Sequence, residues 1–391
     1  MATAVAELRR AAVLDRREVA GALADLGVLV PIAVVLIVSN GLSATAALLP
    51  AGMLYICAAL VYGLPIPVQP LKAFGAIAIA QGLSLDVIAA GAMLMGLVFL
   101  VLARSGALEL AARAFPRPLI RGVQLAVGLL FVKIAWGLVT DPPQAFAAAA
   151  LAPDVALPLA ALVLAAAIAL RSRPVTIALV ATAVAIALTG AAPDLGAGPS
   201  PVSLPSPDAA AMWTALTLLV LPQLPLTFAN SCLATADAAQ TYFGTRAAAV
   251  RPGRLATTLG GANVLAGAIG GMPVCHGAGG LTAHYSFGAR TAAAPLLMGT
   301  GLLVLALAAG SGLATLLAAF PLPILAGMLA AAGVLHIRLL HDLRGRWELS
   351  VALAVGIAGV TIHLALGLLV GLVAWWGRAL LLRLRPAVAT G

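Results

Sequence analysis

Charge is scarce in this 391-residue chain: Asp, Glu, Lys and Arg make up 9% of it. Soluble domains carry roughly a quarter, so an ordinary soluble fold is excluded. The three cysteines, Cys57, Cys232 and Cys275, lie in or beside apolar runs. They supply neither a disulfide framework nor the paired spacing of a metal site. Of the 22 basic residues only Lys72 and Lys133 are lysine. The N-terminal ELRRAAVLDRREVAG is too polar for a signal peptide, so no cleaved targeting segment is expected. Paired carboxylates and nucleophile–base sets are missing from the apolar runs, which argues against a membrane enzyme. No cofactor is implied.

What the chain has is hydrophobicity: 63% apolar residues and a mean hydropathy of +1.11. Apolar runs fall at 21–39, 43–62, 86–103, 118–138, 155–170, 174–190, 211–233, 255–270, 291–309, 321–338, 348–363 and 365–384. Most approach the roughly 20 residues that cross a bilayer. Two short pieces, 70–82 and 277–289, bring the expected count to fourteen. The split near His363 is a division of one long run. Segments 105–115 and 311–319 read as amphipathic connectors at the interface.

The arginines test this count. With fourteen spans every arginine, from Arg9 to Arg385, falls on one side. The opposite loops hold Asp86, Asp141, Asp154, Asp194 and Asp208 and no basic residue. Cytoplasmic loops collect Lys and Arg, so both termini are expected in the cytoplasm. The net charge of +9 is then membrane orientation and requires no nucleic acid. The five tryptophans sit near span ends, as in an aromatic belt.

The chain also repeats. PIPVQP at 65–70 resembles GMPVCH at 271–276, with Pro67 aligned on Pro273 at an offset of 206. FPRPLIRGVQLAVGL from Phe115 matches FPLPILAGMLAAAGV from Phe320 at an offset of 205. Copies separated by seven spans are inverted in the membrane, a recurring transporter plan. The fold expected is an all-α polytopic membrane protein with a 7+7 inverted repeat. Each half contains one Pro-interrupted segment. Non-helical backbone at membrane depth is tolerated only inside protein or along a cavity. The stretches 64–69 and 271–276 read as extended strands, each feeding a half-helix that begins near Pro70 and Gly277.

Opposed half-helix N-termini offer unpaired N–H groups and partial positive charge, which suits an anion. Lys72, in the first turn, adds a buried cation that usually serves a partner: it acts on substrate or in a coupling network, or it snorkels or pairs with Asp25 or Asp237. Lys133 reads as structural or gating. Gln69 and His276 flank the breaks and can donate to an oxyanion, although a membrane His is often a satisfied interior residue. Gln223, Thr227, Asn230 and Ser231 form one polar face, either helix–helix glue or a pocket wall. Asp25 and Asp237 are candidate coupling groups, or partners of neighbouring arginines. Cys275-His276 lacks the second ligand pair of a metal site. The substrate-binding candidates are Gln69, Lys72, Asn230, Ser231, Cys275, His276, Gly277, Ala278, Gly279 and Gly280.

PVQPLKAFGAIAIAQG and GGMPVCHGAGGLTAHYSFGART resemble the two signature segments of the molybdate transporter family, a relative of the sulfate permeases. DLGVLVP at 25–31 and QLPLTFANS at 223–231 resemble its first and eighth spans. The resemblance implies a fold similar to the uracil and sulfate permeases. It implies a core domain (21–104 and 211–310) and a gate domain (105–190 and 311–385). An N-terminal segment (1–20), an extracytoplasmic loop (191–210) and a tail (386–391) complete the chain. Too little follows Arg385 for the cytoplasmic regulatory domain that sulfate permeases usually carry. The implied activity is molybdate import, with tungstate as a mimic, in the inner membrane, with homodimer formation expected from fold analogy. Its rivals are a sulfate or general oxyanion carrier, a nucleobase–proton symporter, which would want acidic residues facing the site, and a channel.

Overall fold

The computed structural model describes residues 15–23, 26–108, 110, 115–170, 173–190 and 196–384. Asp25 lies outside them. Helices dominate, as the long apolar runs dictate. The first, α1 (Arg16–Ala22), is capped by Asp15, whose carboxylate accepts from the N–H groups of Arg17 and Glu18. The Glu18 N–H, above all, holds that carboxyl below the usual carboxylate range. There follow α2 (Leu26–Val38) and α3 (Ala44–Tyr62), then strand β1 (Gln69–Pro70), the short helix α4 (Lys72–Ala80) and α5 (Leu85–Ser105). Next come α6 (Arg117–Thr140), α7 (Pro153–Ala169) and α8 (Arg173–Gly190).

The second part opens with α9, a rod from Ala209 to Phe243 with two π-helical stretches, Ala215–Val220 and Thr227–Ala234. It continues with α10 (Pro252–Ile269), β2 (Val274–Cys275), a second short helix α11 (Ala278–Phe287), α12 (Ala293–Ala308) and α13 (Gly310–Ala318). The last elements are α14 (Leu322–Ile337), α15 (Arg346–Ala358) and α16 (Leu364–Leu384). The expected connector at 311–319 is thus helical, and α13 bends from α12 by 96°.

Small residues set the helix crossings. Helix α5 packs on α10, α3 on α12, and α6 on α14. A Cβ at Gly96 would stand 2.7 Å from the Gly260 carbonyl oxygen, and one at Gly299 2.8 Å from that of Gly52. Only glycine allows such approach, which in a bilayer replaces the hydrophobic drive that lipid removes. Outward-facing side chains such as Val101, Leu162 and Leu381 are 63–66% exposed, as lipid contact requires.

Among the described residues six helices are long and apolar enough to cross a membrane, or eight if each of two bent pairs is one span. One of the six, Arg346–Leu382, is longer than a bilayer needs, and it folds back on itself. A Cβ at Gly367 would lie 2.9 Å from the Val355 carbonyl oxygen, and Gly371 packs on Val355 and Val351. Residues 16 apart in a straight helix stand roughly 24 Å from each other. Helices α15 and α16 are therefore antiparallel arms of a hairpin that turns at Gly359–His363.

Candidate functional site

The two broken segments meet. Helices α3 and α10 each end on a glycine in the left-handed region, Gly63 (φ 63°) and Gly270 (φ 63°), and the chain then runs extended toward the interior. Strands β1 and β2 pair antiparallel, Gln69 with Cys275 and Pro70 with Val274. Only two residues of each expected strand enter the ladder. Pro70 has no N–H to donate, and the remaining polar groups find partners elsewhere. The fully buried Asn263 of α10 donates to the Val274 carbonyl at 2.7 Å and accepts from its N–H at 2.8 Å. Its side-chain amide thereby acts as a further strand on the outer edge of β2. The Leu71 N–H donates to the Pro273 carbonyl at 3.1 Å.

From this crossing the two short helices depart, α4 beginning at Lys72 and α11 at Ala278, within two residues of the positions expected. Lys72 Nζ donates to Gln69 Oε1 at 2.6 Å. A Cβ on Gly277 would stand 3.0 Å from that same oxygen and 3.4 Å from Asn230 Nδ2. Gln69, Lys72, Asn230 and Gly277 therefore converge on one spot at the mouth of both helices. The Gln69 amide oxygen, a partly negative atom, already occupies the focus of the Lys72 ammonium and the Gly277 backbone. An ammonium has three donors; one is spent here. Ala278, Gly279 and Gly280 form the first turn of α11, where N–H groups have no partner within a helix.

The polar face of α9 divides. Gln223 accepts from the Phe74 N–H of α4 at 3.0 Å and donates to Thr227 Oγ1 at 3.0 Å. These two residues cap and brace the half-helix. Asn230 and Ser231 lie in the π-helical stretch beyond them; the Asn230 carbonyl accepts from Thr235 Oγ1 at 2.8 Å. A π-helical turn widens the helix and recurs at functional sites; Pro222 and Pro225 were the sequence signal for it. Ser231 is buried and Asn230 half-buried.

His276 needs a correction. Its Nδ1 lies 2.9 Å from the Pro67 carbonyl oxygen, and its Nε2 3.0 Å from Thr258 Oγ1. Tyr62 packs edge-on against the ring and its hydroxyl reaches Thr258 at 2.7 Å. With both nitrogens engaged and no exposure, the imidazole ties the extended segment before β1 to α10, and in this structure neither nitrogen is free to donate to an anion. Cys275 Sγ faces the Pro70 carbonyl at 3.9 Å, so this side chain also belongs to the strand crossing. Asp237 is exposed on α9. Lys133 sits on α6 beside the far end of α4.

One residue escaped the sequence reading. His336 on α14 is within electrostatic reach of Lys72. Its Nδ1 lies 2.8 Å from the Ala332 carbonyl and its ring stands edge-on to Phe131. A lone histidine in the apolar run 321–338 was the available signal.

The family described as "Molybdate transporter of MFS superfamily" matches residues 17–131 and 215–335. Molybdate transporter 1 of Arabidopsis thaliana is 28% identical over 90% of this chain and 86% of its own length. Molybdate transporter 1 of Chlamydomonas reinhardtii is 39% identical over 39% of this chain and 30% of its own. The transmembrane domain of the cyanobacterial bicarbonate transporter BicA superposes with a TM-score of 0.65 at 20% identity, covering 93% of this chain and 98% of that one. The murine anion transporter Slc26a9 in its inward-facing state gives 0.67 at 16% identity, covering 94% and 68%. The last two establish a shared fold.

Proposed function

The chain belongs to the molybdate transporter family, and from that premise we propose that it imports molybdate as a secondary transporter working by alternating access. The observation that carries the reading is the convergence of Lys72, Gln69, Asn230 and Gly277 where two short helices begin. Positive helix ends and a lysine suit a tetrahedral dianion. Ser231 and the N–H groups of Ala278, Gly279 and Gly280 supply directed donors. Arriving oxygens replace the Gln69 oxygen in front of Lys72. Tungstate, of the same charge and shape, is accepted too.

In this reading the chain forms fourteen segments in a 7+7 inverted repeat, with both termini in the cytoplasm and the protein in the plasma membrane as a homodimer. The core domain moves against the gate domain and exposes the anion to each side in turn. Asp237 and Asp25 are the candidates for ion coupling. A general oxyanion carrier is the second reading, favoured by a fold shared with proteins named for bicarbonate and anion transport.

Uptake of labelled molybdate into proteoliposomes decides between them. Saturable uptake blocked by tungstate, unaffected by excess sulfate and lost in Lys72→Ala is the expected result. Equal competition by sulfate establishes the general carrier. Inhibition by uracil alone overturns both.

A further inference from the structure

The second lysine stands where the first reading has no use for it. Lys133 lies on α6 in the run LLFVKIAW and is exposed, and a cation at membrane depth is costly unless it faces a partner or a water-filled cavity. Among the described residues it has neither an ion pair nor a hydrogen bond. It borders a cavity of about 100 Å³ that Gln81, His363, Ile77 and Ala80 also line. Gln81 follows α4 directly, and His363 closes the turn of the α15–α16 hairpin. Three elements distant in sequence thus bring three polar side chains to one small space.

The donors in that space have one sign. Lys133 carries only donors. His363 Nδ1 accepts from the Ala365 N–H at 3.2 Å, so in the neutral ring the proton sits on Nε2, and that nitrogen donates. The Gln81 amide turns to donate as needed. No carboxylate lines this cavity. A carboxylate, Asp141, lines an adjoining cavity of about 220 Å³ that shares Lys133.

We propose that Lys133, Gln81 and His363 form a second oxyanion site, which captures the substrate before it reaches Lys72. The proposal deepens the transport reading and rests on it for direction. The site lies toward the Asp141 end of α6, opposite the end that carries Arg117 and Arg121. Gln81 is nine residues past Lys72, which places the two sites roughly 13 Å apart along the axis of α4. Ile77 and Ala80 of the same helix line the outer cavity. Gln81 moves with the core and Lys133 and His363 with the gate, so the rocking motion assembles this site and takes it apart.

Because the chain has two lysines, amine labelling reports each one separately. The full-length protein in sealed proteoliposomes is exposed to an impermeant amine-acylating reagent, and the Lys133 and Lys72 peptides are quantified by mass spectrometry. The probes are sodium molybdate and sodium sulfate, with sodium chloride at matched ionic strength. Molybdate is expected to protect Lys133 in a saturable way, in the wild type and in Lys72→Ala alike, while chloride does not. Labelling of Lys133 that molybdate leaves unchanged, or that chloride slows equally, overturns the proposal, as does a Lys133 that never labels. Such results would leave the lysine as a cap on the negative end of α4.

Transport supplies the second readout. Losing one charge-assisted donor in Lys133→Gln raises KM for external molybdate about tenfold, with kcat within about twofold; Lys133→Arg restores much of it. A fall in kcat at unchanged KM overturns the capture role. If Lys133 is protected but the wild type shows no uptake, the transport reading fails and the anion site stands.

Discussion

Gln69 pairs with Cys275 across the two-residue ladder, and these positions are 206 residues apart, the same offset that aligns Pro67 with Pro273. Repeat-equivalent residues that pair with each other lie on the axis relating the two copies. A second pair does the same. Gly128 and Gly333, equivalent at the offset of 205, face one another where α6 crosses α14, and a Cβ on Gly128 would meet the Gly333 carbonyl oxygen at 2.7 Å. Two such points mark a line through the molecule, one in the strand crossing and one in the helices around it. The inverted repeat proposed above would account for both meetings with one operation and would bring the starts of α4 and α11 together.

Placing a negative charge at that crossing defeats an anion site. Gln69→Glu keeps the acceptor for Lys72 but sets a carboxylate beside the substrate. Unit charges 4 Å apart interact by about 4 kcal/mol at an effective dielectric of 20. KM for molybdate is therefore expected to rise more than about a hundredfold. Gln69→Ala, which merely removes the amide, raises it far less. Uptake at several molybdate concentrations distinguishes the two, and a Gln69→Glu protein with ordinary affinity removes Gln69 from the site.

Two neighbouring glycines separate the shape of the cradle from its stability. In Gly277→Ala the new methyl meets Gln69 Oε1 at 3.0 Å and Asn230 Nδ2 at 3.4 Å. Both are side-chain ends that can shift, so the fold survives and the cradle changes. In Gly279→Ala nothing lies within 4 Å of the methyl, and replacing a helical glycine by alanine gains about 0.5–1 kcal/mol. The melting temperature of Gly279→Ala is expected to hold or rise while molybdate affinity falls, because the methyl fills the space before the N–H groups of α11. Unchanged affinity in Gly279→Ala would take that helix end out of the binding site.

Much of this arrangement was legible because prolines and glycines act locally. Pro67, Pro70 and Pro273 cluster with glycines and break the helix there, whereas single prolines such as Pro31 and Pro50 stay inside α2 and α3; both breaks and both half-helices therefore followed from a short stretch of chain. The shortness of the ladder did not, because it depends on Asn263, eleven residues from Val274 and on another helix. The role of His276 was hidden for a similar reason. Its partners Pro67 and Thr258 come from separate segments, and no spacing rule tells a satisfied histidine from a free one. His336 comes into electrostatic range of Lys72 through the packing of α14, which sequence periodicity does not report.

That assignment of His276 can be tested through a residue that never approaches the anion. The Tyr62 hydroxyl bridges Thr258 and the Arg254 carbonyl, at 2.7 and 3.1 Å. Tyr62→Phe keeps the ring against His276 and removes both bonds, at about 1 kcal/mol each. Thermal unfolding in detergent should move down while KM stays within about twofold. His276→Ala orphans the buried Pro67 carbonyl and is destabilised further, by roughly 1–3 kcal/mol for that group alone. A His276→Ala protein as stable as the wild type, but unable to bind molybdate, would return the imidazole to the ligand set.

The hairpin of α15 and α16 is open to a purely geometric test. A straight helix over Arg346–Leu382 and a hairpin turning near His363 have the same composition and hydropathy. They differ in which residues meet. Val355 and Gly371 touch in the hairpin and stand roughly 24 Å apart in a straight rod. Val355→Cys combined with Gly371→Cys is expected to form an intrachain disulfide on mild oxidation, mapped by peptide mass with and without reductant. The control pair Val355→Cys and Leu380→Cys, further along α16, should stay reduced. Absence of the first crosslink means a single long helix, and His363 would then lose its place at the turn, with it the anion cavity shared by Lys133 and Gln81.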